Sequence, residues 1–115
     1  MAKSKHDEKR VAKRVPVDAS VPVKITNGHA VDMEGQVKDI SIRGVYVYLQ
    51  SQVAEGSPLE LVLPMPEGVM EGHDVWIRCK CRVVRVEPTG RSKEFGVAAM
   101  IEEYEALEEA QIPQA

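Results

Sequence analysis

Apolar residues recur at every second position through most of this chain, the spacing of strands with one buried face. Val21, Val23 and Ile25 alternate with Pro22 and Lys24, and Val45, Val47 and Leu49 with Tyr46 and Tyr48. Leu59, Leu61 and Leu63 form a third such set. In the longest run, from Val75 to Glu87, Ile77, Cys79, Cys81 and Val83 share one face and Arg78, Lys80 and Arg82 the other. Two further strands are expected, from Ala30 to about Ile42 and from Phe95 to Ile101. Turn residues separate these runs: Asn27-Gly28, a strong hairpin signal, then Gly56-Ser-Pro58, the stretch from Pro64 to Gly72, and Pro88-Thr-Gly90. Glu102 to Ala110 is rich in helix formers, with acidic residues in its first turn, so a helix is expected there, ended by Pro113. Tyr104 and Leu107 would be its apolar anchors on the sheet.

Strands in succession, without intervening helices, point to an antiparallel sandwich or barrel. Closing the sheet removes exposed edges, which matters for so small a fold. The expected fold is mainly all-β: a six-stranded antiparallel β-barrel with a short C-terminal helix and a flexible N-terminal basic arm. The chain's 115 residues allow one domain. The arm is placed at residues 1–14 and the domain at 15–112. Aromatics are 4% of residues, so the core must come from aliphatic side chains.

Charge divides the chain in the same place. Lys3, Lys5, Lys9, Arg10, Lys13 and Arg14 outnumber Asp7 and Glu8, a surplus of four positive charges in a chain whose net charge is −3. The remainder is therefore strongly acidic and would repel nucleic acid, while the arm fits either an anion or plain solvation. No run approaches the roughly 18 apolar residues of a membrane span. The basic N-terminus lacks the apolar stretch of a secretory signal. Two cysteines, Cys79 and Cys81, make no disulfide framework. A cytoplasmic, reducing location and no membrane association are expected.

Two constellations carry candidate chemistry. The first is Arg10-Val-Ala-Lys-Arg14. Its planar guanidinium groups suit phosphate through paired charge-assisted hydrogen bonds, and suit guanine through its O6/N7 edge or its flat face. The second is Asp39-Ile-Ser41-Ile-Arg-Gly44. Strand alternation sends Ile40 and Ile42 into the core and leaves Asp39 and Ser41 on the outer surface. There a carboxylate can accept from the Watson–Crick N–H groups of guanine, and a hydroxyl can bond beside it. Gly44 permits positive φ and close approach of a ligand. The same three residues also fit a local turn closed by side chain to backbone bonds, with Gly44 only shaping a hairpin.

The two constellations in this order, 25 residues from Arg14 to Asp39, leading into a Val-rich sheet, resemble the PilZ domain family. The resemblance runs from about Lys9 to Leu107 and includes Val83-Val-Arg-Val86 and Phe95-Gly-Val-Ala98. It implies a non-catalytic receptor for cyclic di-GMP, a bacterial second messenger, as ligand rather than cofactor. On that resemblance Arg10 and Arg14 grip phosphate and guanine, Asp39 and Ser41 bond a guanine, and Gly44 leaves room. Ligand binding would order the mobile arm and change a contact with a protein partner. The alternatives are a PilZ-like protein interaction module that binds no nucleotide, and a nucleic-acid binder using Lys3, Lys5 and Lys9.

Other signals point away from chemistry. Zinc needs four ligands, and Cys79 and Cys81 have no second pair, so no metal site is expected and the thiols read as buried on an inner face. His6, His29 and His73 are scattered and expected to be solvated. Asp39 and Ser41 lack a histidine or lysine to complete a nucleophile–base unit, so an enzyme is not expected. Arg78, Lys80 and Arg82 make a basic strand face that could add positive potential to the arm. Trp76 is expected to pack at a strand start, and Tyr46 and Tyr48 to be half-exposed.

Overall fold

A computed structural model describes residues 14–26, 30–64 and 76–108. Residues 1–13, with Arg10 and the rest of the expected arm, lie outside the described residues. So do the Asn27-Gly28 turn, residues 65–75, and all three histidines.

Six strands form: β1 (Val15–Thr26), β2 (Ala30–Ile40), β3 (Gly44–Leu49), β4 (Pro58–Pro64), β5 (Trp76–Pro88) and β6 (Phe95–Ala106). All pairings are antiparallel, and the order β1-β2-β3-β6-β5-β4 returns to β1, so the sheet is a closed ring. The returning seam is short: β1 meets β4 only through Val23↔Leu61, Lys24↔Glu60 and Ile25↔Leu59. The first half of β1, up to Pro22, therefore pairs with β2 alone.

The interior is aliphatic. Val37, Ile40, Val47, Leu49, Leu61 and Leu63 are fully buried, joined by Cys79 and Cys81 from β5. Burial pushes the Cys79 thiol up to about 12 and the Cys81 thiol higher still, so both are protonated packing groups. Tyr46 and Tyr48 are half-buried on the outer face, and Trp76 is half-buried at the start of β5.

The expected C-terminal helix is replaced by strand. β6 continues through Ala106, and no helix occurs among the described residues. Its extension pairs with the first half of β5 through Ile77↔Ala106, Cys79↔Tyr104 and Lys80↔Glu103. The Leu107 N–H then bonds the Trp76 carbonyl at 2.9 Å. Helix propensity is a weak preference, and here it loses to a long partner strand whose backbone groups need a neighbour.

The register of β6 also explains the helical appearance of the sequence. The ladder shifts between Lys80 and Cys81, where Glu102 is the extra residue. Ile101 and Tyr104, three apart, both pack against the core as a result. Val83 and Val86 do the same around Val84, and Val84 turns outward with 49% exposure. Each bulge converts a spacing of two into a spacing of three.

Candidate functional site

A third bulge builds the site. β1 pairs Pro16↔Asp39 and then Ala19↔Val37, while β3 pairs Val47↔Val37 and then Tyr46↔Asp39. Lys38 is the extra residue of β2 against β3. Val37 and Ile40 both point inward, so Lys38 and Asp39 are left on the outer side. Opposite Lys38 in β1, Asp18 takes φ 52°, a conformation aspartate tolerates better than most residues, and its carboxylate accepts from Gln36 Nε2 at 2.8 Å. Bulges re-aim side chains in this way where a ladder is interrupted.

Register then brings Arg14, from the first constellation, to the second. Val15 pairs with Ile40, so Arg14, just before β1, comes level with the corner where β2 ends. Arg14 Nε donates to Asp39 Oδ1 at 2.6 Å. The Arg14 side chain is 48% exposed and that of Asp39 21%. A Cβ on Gly44 would lie 3.9 Å from Arg14 Nη1. Arg14, Asp39 and Gly44 thus share one outward corner.

Ser41 departs from the expected outward position. It is 1% exposed, because β2 stops at Ile40 and strand alternation stops with it. Its hydroxyl accepts from the Arg43 and Gly44 N–H groups, each at 3.2 Å, and donates to the Gly44 carbonyl at 3.4 Å. The Ser41 N–H bonds the same carbonyl at 2.8 Å. The turn is pinned from outside as well: Ile101 N–H bonds the Arg43 carbonyl at 2.8 Å, and the Tyr104 hydroxyl donates to the Ile42 carbonyl. Ile42 is therefore only half-buried, at the corner rather than in the core. The expected freedom of Gly44 has another cause too. Its φ is not positive, but a Cβ there would sit 3.0 Å from the Ala99 carbonyl of β6. The missing side chain lets β3 and β6 approach, and Arg14 lie above them.

Beside the corner lies a group the sequence reading left unassigned. Tyr46, the cross-strand partner of Asp39, extends over β6, where its ring covers Gly96 and a Cβ at 96 would overlap it. Its hydroxyl donates to Glu87 Oε2 at 2.6 Å, and Arg85 Nε donates to Glu87 Oε1 at 3.2 Å. Burial, then the bond to Glu87, push the Tyr46 phenol up to about 12. The same bond is the main cause that lowers the Glu87 carboxyl. Tyr48 packs edge-on at 5.6 Å, and Lys38 Nζ sits 5.4 Å from the Tyr46 ring centre. Alternation had marked Tyr46 as outward. The bulge that brings Lys38 over it left no mark in the sequence.

Two of the three cations on the expected basic face of β5 are matched by acceptors, while Lys80 is exposed. Arg78 meets Glu60 at 2.9 Å and Glu105 at 2.8 Å, and Arg82 meets Glu102 at 3.0 Å and the Gly56 carbonyl at 2.9 Å. Among the described residues, no cluster of three or more His, Cys, Asp or Glu could hold a metal ion.

The chain can be set beside known proteins. No curated protein matches it. The solved structure of Bacillus subtilis Inhibitor of motility (MotI/DgrA) is similar, with a TM-score of 0.55 and 23% identity, covering 79% of this chain and 42% of that one. At that identity the likeness shows the fold, and this chain spans less than half of that protein's length. The family model described as PilZ domain matches residues 8–111, taking in both constellations and all six strands. A match over nearly the whole chain, with Arg14 seated on Asp39 above Gly44, leads to one conclusion: the chain belongs to the PilZ domain family.

Proposed function

We propose that this chain is a non-catalytic receptor for cyclic di-GMP, a six-stranded β-barrel that acts as an adaptor by changing a protein contact when the ligand binds. The observation that carries the reading is the Arg14–Asp39 pair at 2.6 Å above Gly44. Residues 25 apart in sequence meet there, one suited to phosphate or a guanine edge, the other to the N–H groups of guanine. Arg10 is assigned to the same ligand, as the other half of the Arg-x-x-x-Arg element, with the rest of residues 1–14 closing over it. Ser41 serves the site through the turn it ties, which sets Gly44 beneath Arg14, rather than by offering a free hydroxyl. The adaptor role draws support from the family, and from the likeness to MotI/DgrA, an inhibitor of motility. A cytoplasmic location belongs to the same proposal.

Isothermal titration with cyclic di-GMP at low salt tests this. The expected result is saturable binding that Arg14→Ala and Asp39→Ala each weaken strongly. A wild-type protein that gives no heat sinks the reading. It would favour the rival, a PilZ module that contacts protein without nucleotide, to which the buried and fully engaged Ser41 hydroxyl lends some support.

A further inference from the structure

Resting on the cyclic di-GMP reading, we infer that Tyr46 is the platform on which one guanine of the ligand stacks, next to the edge offered by Asp39, with Lys38 moving from the ring to a ligand phosphate. Three features fit Tyr46 for this. Its position is fixed by the ladder: Asp39 and Tyr46 are cross-strand partners, and such pairs on one face hold their Cβ atoms about 5 Å apart. Its ring is held at rest, lying over Gly96 with the hydroxyl bonded to Glu87 at 2.6 Å and the edge of Tyr48 against it. A ring already ordered loses little freedom when a base covers it.

The third feature is what faces the ring. The sheet takes one side of Tyr46, and over the ring lies the Lys38 ammonium, 5.4 Å from its centre, on an exposed side chain. An exposed cation–aromatic contact is worth a factor of about 2–5 in an equilibrium constant, whereas stacking a base on an aromatic ring is worth about 5–150. A guanine therefore displaces the ammonium. A displaced lysine keeps a use beside a doubly charged dinucleotide, because it binds phosphate as a point charge. The carboxylates on this face do not oppose that: Glu87 is held by Tyr46 and Arg85, and Asp39 by Arg14.

The test combines titration of cyclic di-GMP into wild type, Tyr46→Phe and Tyr46→Leu with the guanine H8 proton resonance of the ligand in each complex. Tyr46→Phe keeps the ring face and is expected to bind within about threefold of wild type. Tyr46→Leu is expected to bind about 5- to 150-fold more weakly. The H8 resonance moves upfield on binding to wild type and Tyr46→Phe, the signature of a base over a ring, and stays near its free position with Tyr46→Leu. Tyr46→Leu binding within twofold of wild type, or Tyr46→Phe as weak as Tyr46→Leu, overturns the platform while leaving the receptor reading intact. Wild type that binds no cyclic di-GMP overturns both. Should Tyr46→Leu fail to fold, the wild-type H8 shift decides alone, and its absence overturns the platform.

Discussion

Arg14 and Arg78 both meet carboxylates on the outer surface of the sheet, but they are held differently. Arg78 lies inside β5 with a paired strand on each side, meets Glu60 of β4 and Glu105 of β6, and is 25% exposed. Arg14 stands at the root of β1, uses Nε on one carboxylate, and is 48% exposed. Among the described residues its terminal nitrogens take no further hydrogen bond. A cation matched from both flanking strands is finished, and its worth is a modest part of stability. A cation engaged through one nitrogen, at an outward corner between a turn and a bulge, still has donors for a ligand. The chemistry of the pair is the same in both regions, and position in the ladder decides how fully the guanidinium is matched.

The largest expected effect separates the regions by binding. Arg14→Ala should weaken cyclic di-GMP about 10- to 150-fold, the loss of one hydrogen bond to a charged group. Arg78→Met should leave the titration within about twofold of wild type. Equal losses for the two variants would erase the distinction. A second change tests the packing of the corner. Gly44→Ala puts a Cβ against the Ala99 carbonyl, a backbone atom that cannot swing away, and should cost about 1–3 kcal/mol in denaturant unfolding. A Gly44→Ala protein as stable as wild type would show that the close approach of β3 and β6 is not needed.

A smaller effect lies in the β5 strip. Arg78→Met should lower stability by about 1 kcal/mol, less at high salt, because the pairs are partly exposed and screened. Arg14→Met should lower it less. A further effect is seen in alkali. Tyr46 and Tyr104 are each pushed up to about 12, chiefly by burial, and Cys79 to about 12 by burial. The folded state keeps protons that the unfolded chain gives up nearer 9 or 10, so this stability is whole below pH 9 and is lost as pH rises toward 12. Melting temperature measured from pH 8 to 12 should fall over that window, and fall less steeply for Tyr104→Phe. An unchanged slope would remove Tyr104 from the cause.

Much of this was legible along the chain. The apolar pattern and turn residues placed four of the six strands within a few residues, and the core halves of β1 and β6, because a closed sheet buries one face and solvates the other. The pattern also assigned the buried thiols and the outward tyrosines. The spacing of Arg14, Asp39 and Gly44 singled out three residues that the fold brings to one corner. Two of the expectations that failed have one reason each. Glu102 to Ala106 has the composition of a helix, yet β5 supplied a partner strand, and the bulge at Glu102 made a strand look helical. Ser41 follows the alternation of Asp39 on paper, but the strand ends one residue earlier and its hydroxyl turns in to tie the corner.

The sequence by itself determined that the chain folds as successive antiparallel strands around an aliphatic interior, and which residue types could meet a phosphate and a guanine. Those follow from side-chain period and functional groups, which are local properties. Only the tertiary structure decided that Arg14 reaches Asp39, that Ser41 faces inward, and that Tyr46 lies half-buried beside the corner under Lys38. These depend on register and on where a ladder slips by one residue. A slip of one residue reverses every side chain beyond it, and its cause lies in the neighbouring strands, not in the strand that slips.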